Sequence, residues 1–291
     1  MLKLSFSTGA LYHLPLRVAF SLARHAGFDG VELVEGAELL LRGAAHARRL
    51  SHEYGLPVLS VHPPIVPYPG MDDARPTVRR LVTLAEGVDS NLVVLHTPKT
   101  ASTESPAWRF FVQALQEHTD PAVRLTLETS GYFRPGDERC VLHDVRRLQA
   151  FAEGRKLNVT FDTAHTGTTP YPILEAYALF NGRVANVHLS DLARRRLFPN
   201  WRPLHTFLLH HQMPGAGVLP LTEFLRMLLR GGYAGPLTLE LSPTAVQAWS
   251  LARVRANLER AVRFVRDVED QTRRFGDHGE ANDQSGRGQT A

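Results

Sequence analysis

Short apolar, β-branched runs alternate with longer amphipathic stretches through most of the chain. The runs predict eight strands, at Leu2–Ser7, Gly30–Val34, Val58–His62, Leu92–His96, Arg124–Glu128, Asn158–Asp162, Val184–His188 and Leu237–Glu240. Several, such as Leu92-Val93-Val94-Leu95, are apolar throughout rather than alternating, which is the pattern of parallel strands covered on both faces. Between them the apolar positions recur at helical spacing over Leu16–His25, Ala37–Tyr54, Thr77–Val88, Ala107–His118, His143–Glu153, Tyr171–Phe180, Leu221–Leu229 and Val246–Val268. Gly27, Gly55 and the Gly231-Gly232 pair stand where helices stop, because glycine takes the left-handed conformation at a helix C-terminus without penalty.

Strand-helix alternation implies crossover connections and hence a parallel sheet. Eight units favour closure of that sheet, giving an α/β fold of the (β/α)8 or TIM-barrel type in one domain, residues 1–270. No Gly-x-Gly-x-x-Gly follows the first strand, which argues against a dinucleotide-binding sheet. From 271 to 291, and most clearly from Phe275 on, the chain is Gly-, Asp- and Gln-rich with almost no apolar residue, so the expectation is a disordered tail.

Composition narrows the class only a little. Hydrophobic residues are 43 % and charged residues 21 %, enough for a sizeable core. No apolar run reaches eighteen residues, which argues against a membrane-spanning helix. The first residues turn polar too soon for a secretory signal, and the one cysteine, Cys140, has no internal partner, so a cytoplasmic location is expected. A net charge of +4 would suit nucleic acid or phosphorylated substrates, but acidic residues are interspersed with the arginines, as on solvated helix faces.

The strand ends carry the chemistry. In barrels of this kind the last residues of several strands build the active site at one face. Here six successive strands end in His62, His96, Glu128, Asp162, His188 and Glu240. With 29 acidic residues and 14 histidines in 291, such a residue falls at about one position in seven, so six in a row is far from chance. Carboxylates and imidazoles converging on one spot repel or stay unsatisfied without a cation. Mixed oxygen and nitrogen donors suit manganese or zinc better than magnesium, and two carboxylates beside a bound metal can serve as general acid and base.

The residues around these ends resemble the xylose isomerase-like TIM-barrel superfamily, which holds sugar and sugar-phosphate isomerases and epimerases and the zinc-dependent apurinic-site endonucleases. The resemblance covers about residues 1–265. It rests on Leu125-Thr126-Leu127-Glu128, Phe161-Asp162-Thr163-Ala164-His165, Val187-His188-Leu189-Ser190-Asp191, Gly231-Gly232-Tyr233-Ala234-Gly235 and the Pro236–Glu240 run that follows. In the epimerase branch it implies one metal on Glu128, Asp162, His188 and Glu240. The two glutamates also move a proton beside a carbonyl, and His165 contacts substrate hydroxyls.

In the endonuclease branch the resemblance implies three zinc ions. His62, His96, Glu128, Asp162, His165, His188, His211 and Glu240 match eight of the nine ligand positions. The ninth is Leu209, which binds no metal, and Ser130–Pro135 also departs from that branch. His62 and His96 therefore either complete a second metal site or recognise a sugar by hydrogen bonds. Asp191 either binds substrate, orients its neighbour or caps a loop. Trp108, Phe198 and Trp201 are candidates for the mouth, and Arg194-Arg195-Arg196 for a phosphate contact, against the plainer readings of packing and a solvated loop. The expected activity is a metal-dependent isomerase or epimerase of a small sugar or sugar phosphate, with a phosphodiester-cleaving enzyme acting on nucleic acid as the alternative.

Overall fold

The computed structural model describes residues 1–65, 73–118, 121–180, 182–194 and 208–284, with side chains through Arg274. Eight parallel strands close in chain order: β1 Lys3–Ser7, β2 Gly30–Val34, β3 Val58–His62, β4 Leu92–Leu95, β5 Arg124–Glu128, β6 Asn158–Asp162, β7 Val184–Leu189 and β8 Pro236–Leu239. β1 pairs with both β2 and β8, so the sheet is a closed barrel, as the alternation predicts. Around it lie α1 Leu16–Ala26, α2 Ala37–Tyr54, α3 Ala74–Gly87, α4 Pro106–Glu117, α5 Val145–Gly154, α6 Thr163–Thr166, α7 Ile173–Ala178, α8 Leu221–Arg230, α9 Pro243–Val246 and α10 Leu251–Gln284. None of the described helices is long and apolar enough to cross a membrane.

One face of the strands supplies the apolar core. Leu4, Phe6, Val31, Leu33, Leu127, Phe161, Val187 and Leu239 are fully buried in it together with the inner faces of the helices. Asp73, Ser105 and Asp144 start α3, α4 and α5 by accepting hydrogen bonds from backbone N–H groups of the first turn, each worth about 1 kcal/mol.

The opposite face of the strands is polar, which the apolar look of the runs did not suggest. Thr126 and Thr160 hydroxyls meet at 2.6 Å, Thr238 donates to Asn186 at 3.1 Å, and Ser60 donates to Glu32 at 2.8 Å, all with no solvent exposure. Strand residues two apart share a face. Ser60, Thr126, Thr160, Asn186 and Thr238 are thus a hydrogen-bonded floor, and His62, Glu128, Asp162, His188 and Glu240 stand directly above it.

The structure settles the course of the last helix and the place of Trp108. The helix expected over Val246–Val268 is two: Ser242 caps the short α9, Gln247 turns the chain in the left-handed region at φ 58°, and α10 begins at Leu251. α10 runs on through Gln284, into the segment from 271 that was expected to be a tail; residues 285–291 lie outside the described residues. Trp108 is not at the mouth. It lies on the face of α4 that packs into the core, edge-on to Phe151 at 5.4 Å. Arg195, Arg196, Phe198 and Trp201 lie outside the described residues, and Arg194 is exposed.

Candidate metal centre

Parallel strands that end at one rim bring their terminal side chains together there. The centre forms around His188, on β7 and fully buried. Its Nδ1 lies 3.0 Å from Glu128 Oε1, 2.7 Å from Glu240 Oε2 and 3.8 Å from Asp162 Oδ2. Strands β5, β6, β7 and the end of β8 thus bring the side chains of Glu128, Asp162, His188 and Glu240 around one imidazole nitrogen. On its other edge, His188 Nε2 lies 2.9 Å from Glu32 Oε2.

The remaining histidines surround Glu128. His96 Nε2 is 3.1 Å and His62 Nε2 3.8 Å from Glu128 Oε2, and His165 Nδ1 is 3.7 Å from Glu128 Oε1. Backbone carbonyls set two of these rings: His62 Nδ1 bonds to Pro63 O at 2.7 Å and His165 Nδ1 to Thr129 O at 3.0 Å, so the lone pair of each neutral ring falls on Nε2. Asp162 caps the short α6 by accepting the His165 N–H at 2.6 Å, which fixes His165 relative to the carboxylates. His211, in the left-handed region at φ 52°, lies 4.0 Å from Asp162 Oδ2 and bonds to Ser190 Oγ at 3.2 Å.

Two groups of donors result. One donor atom from each of His62, Glu128, His188 and Glu240 lies within 4.8 Å of the others, and the same holds for Asp162, His165 and His211. The donor set fits a divalent cation, because His62 Nε2 and Asp162 Oδ2 are buried with no hydrogen-bond partner while three carboxylates converge on the His188 ring. Buried charge of this kind needs a partner. Carboxylates mixed with imidazoles are the donors that zinc and manganese take. Asp191 does not join either group. Its carboxylate accepts the N–H groups of Leu192, Gly215, Gly217 and Leu219 and so anchors the loop carrying His211. His210 turns away and packs on Phe133 at 4.5 Å.

The electrostatics are those of a site short of positive charge. Burial would depress the His188 imidazole, but Glu32, Glu240 and Glu128 outweigh it and hold its pKa well above the usual histidine range. The same contest lifts His62 to about 9, with burial opposed by Glu128, Glu32 and Glu240. Burial would raise Glu128 and Glu240, yet the surrounding histidines hold both well below the usual carboxylate range. Asp162 is the exception: burial, reinforced by Glu240 and Glu128, holds it well above that range despite His211.

Glu32 is the residue in contact with this centre that strand-end reasoning missed. It lies in mid-strand, in Gly30-Val31-Glu32-Leu33-Val34, fully buried between apolar neighbours. A lone carboxylate there was the signal, since burial of an ionised group demands a partner. Residues at or after the ends of β1, β2 and β3, with the first turns of α1 and α2, line a largely apolar cavity of about 400 Å³, Leu11, Tyr12, Val34 and Ile65 among them.

The sequence pattern described as "Xylose isomerase-like TIM barrel" matches residues 20–268. The uncharacterized protein Rv0498 of Mycobacterium tuberculosis is 26 % identical over 269 residues, covering 85 % of this chain and 91 % of its own. Among solved structures, a D-tagatose 3-epimerase-like protein superposes with a TM-score of 0.70 at 18 % identity, over 94 % of this chain and 99 % of the other. The D-allulose 3-epimerase from Methylomonas sp., in complex with D-allulose, gives 0.66 at 15 % identity, over 91 % and 96 %.

Proposed function

We propose that this chain, which belongs to the xylose isomerase-like TIM-barrel family, is a divalent-metal-dependent isomerase or epimerase of a small sugar or sugar phosphate. The observation that carries the reading is the placement of two carboxylates, Glu128 and Glu240, 3.0 and 2.7 Å from the same nitrogen of His188. Glu128, Asp162, His188 and Glu240 would hold a manganese or zinc ion, which would supply Lewis acidity toward a substrate carbonyl and so acidify the neighbouring C–H.

The chain's own groups then do the proton work. Both glutamates are held below the usual carboxylate range, so each is ionised at neutral pH and can accept a proton from carbon. One removes it from one side, and the other returns a proton at the opposite side or at the adjacent carbon. His165 commits Nδ1 to the Thr129 carbonyl, which leaves Nε2 for a substrate hydroxyl. The likeness to sugar epimerase folds supports the substrate class.

The test is solvent exchange. The metal-loaded chain in deuterium oxide is incubated with a panel of ketoses and their phosphates, and deuterium is sought at the carbon beside the carbonyl. Incorporation into at least one sugar is expected; none across the panel with metal bound would sink the reading.

One observation favours a second reading, phosphodiester cleavage: His62 and His96 crowd Glu128 while Asp162, His165 and His211 form a further group, the makings of a multinuclear site. Against it, Leu209 stands buried where that chemistry needs a ninth ligand. Rapid metal-dependent nicking of a duplex containing an abasic site would reverse the order of the two readings.

A further inference from the structure

The segment after β5 carries ligand-type side chains that the centre around His188 does not use. Asp137 opens a turn of 3-10 helix, Asp137–Arg139, and Cys140 and His143 follow at three-residue spacing. Cys140 N donates to Asp137 O at 3.0 Å and His143 N to Cys140 O at 3.3 Å, so successive tight turns gather the three side chains. One donor atom from each lies within 4.8 Å of the others, and all three residues are buried.

His143 carries the argument. It is 2 % exposed, yet neither Nδ1 nor Nε2 has a hydrogen-bond partner. A neutral imidazole has one N–H and one lone pair, and burying both unbonded is costly unless something occupies them. One of the open nitrogens lies within 4.8 Å of the Cys140 thiol and an Asp137 carboxylate oxygen, the donors of a borderline-soft cation.

We propose that Asp137, Cys140 and His143 form a second metal site, which binds a zinc-like divalent cation through a carboxylate oxygen, the thiolate sulfur and an imidazole nitrogen. Binding displaces the thiol proton to solvent, and water completes the coordination. The site is structural in its consequence. Asp137 also accepts the N–H groups of Phe133 and Arg134 at 2.8 Å each, and Val141 N bonds to Thr100 O at 2.8 Å. A cation there ties the loop into one unit, and Phe133 from that loop packs edge-on against His165 at 4.9 Å.

Because Cys140 is the chain's one cysteine, the test can be read independently of the His188 centre, whose donors are all nitrogen and oxygen. Cobalt(II) is titrated into the metal-free full chain. The expected result is a near-ultraviolet thiolate-to-cobalt absorption that saturates at one equivalent for this site, vanishes in Cys140→Ser, and needs at least about tenfold more cobalt in His143→Ala. Added zinc should bleach the band in the wild type, a reading that requires no variant to fold. No band at saturating cobalt overturns the proposal, as does a band unchanged in His143→Ala or untouched by zinc.

Discussion

Glu32 Oε2 on β2 lies 2.9 Å from His188 Nε2 on β7, joining two strands across the barrel interior. Ser60 donates to the same oxygen at 2.8 Å, and the Asn186 amide approaches it at 3.4 Å. The carboxylate is therefore itself held from the polar floor. The consequence lies at the other edge of the imidazole ring: with Nε2–H committed to Glu32, the metal-ligating lone pair of a neutral His188 must sit on Nδ1, the atom that faces Glu128, Asp162 and Glu240.

Glu32→Gln should weaken binding of manganese or zinc by about 10- to 100-fold, the usual effect of disturbing the partner of a metal-bound histidine. The side chain keeps its size, so the barrel should remain folded by circular dichroism. Competition against a chromophoric chelator measures the affinity. An unchanged value would confine Glu32 to holding the strands together.

Glu240→Gln should abolish ketose exchange, by about 10²- to 10⁴-fold, because the amide cannot accept a proton from carbon at neutral pH. Glu240 stands at the rim with 13 % of its side chain exposed, whereas Glu128 has 2 %. The substitution thus disturbs packing least at this position. Exchange at the wild-type rate in a folded, metal-loaded variant would take Glu240 out of the mechanism.

Most of the ring of histidine and acidic side chains was legible because two periodicities coincide. Closure of the barrel places every strand end at one rim, and two-residue alternation aims His62, Glu128, Asp162, His188 and Glu240 inward from it. Glu32 escaped because it sits in mid-strand rather than at an end. The role of Asp191 was open for a different reason: its partners, Gly215, Gly217 and Leu219, reach it through a chain reversal about 25 residues away that no local pattern encodes. Of the two readings open for Trp108, mouth or packing, helical periodicity already favours packing, since Trp108, Phe111 and Leu115 share one face and that face packs into the core.

Asp191→Ala should destabilise the chain by at least about 2 kcal/mol, since backbone donors buried against a lost carboxylate each cost about 1–3 kcal/mol when left unpaired. His211 rides on the loop that Asp191 anchors, while Glu128, His188 and Glu240 stand on strands or at their ends. The denaturation midpoint should therefore fall while metal affinity at His188 changes much less. A large loss of that affinity with stability unchanged would make Asp191 part of the centre.

The metal-free protein should lose stability as pH rises from about 6.5 to about 9. His62 has its folded pKa raised from 6.5 to about 9, against burial, by Glu128, Glu32 and Glu240. A group raised in this way stabilises fully below its unfolded pKa, and that contribution disappears as pH climbs through the folded value, here of the order of 3 kcal/mol. His188, also raised, and Asp162, whose carboxyl holds its proton to higher pH than in the unfolded chain, act with the same sign. A bound cation replaces the protons on the ligating nitrogens, so the loaded protein should show a much smaller decline and metal affinity should increase with pH. Melting temperatures of chelator-treated and metal-loaded chain, followed from pH 6 to 9.5, measure the difference. Parallel curves for the two forms would mean that the cation does not occupy the place those protons leave.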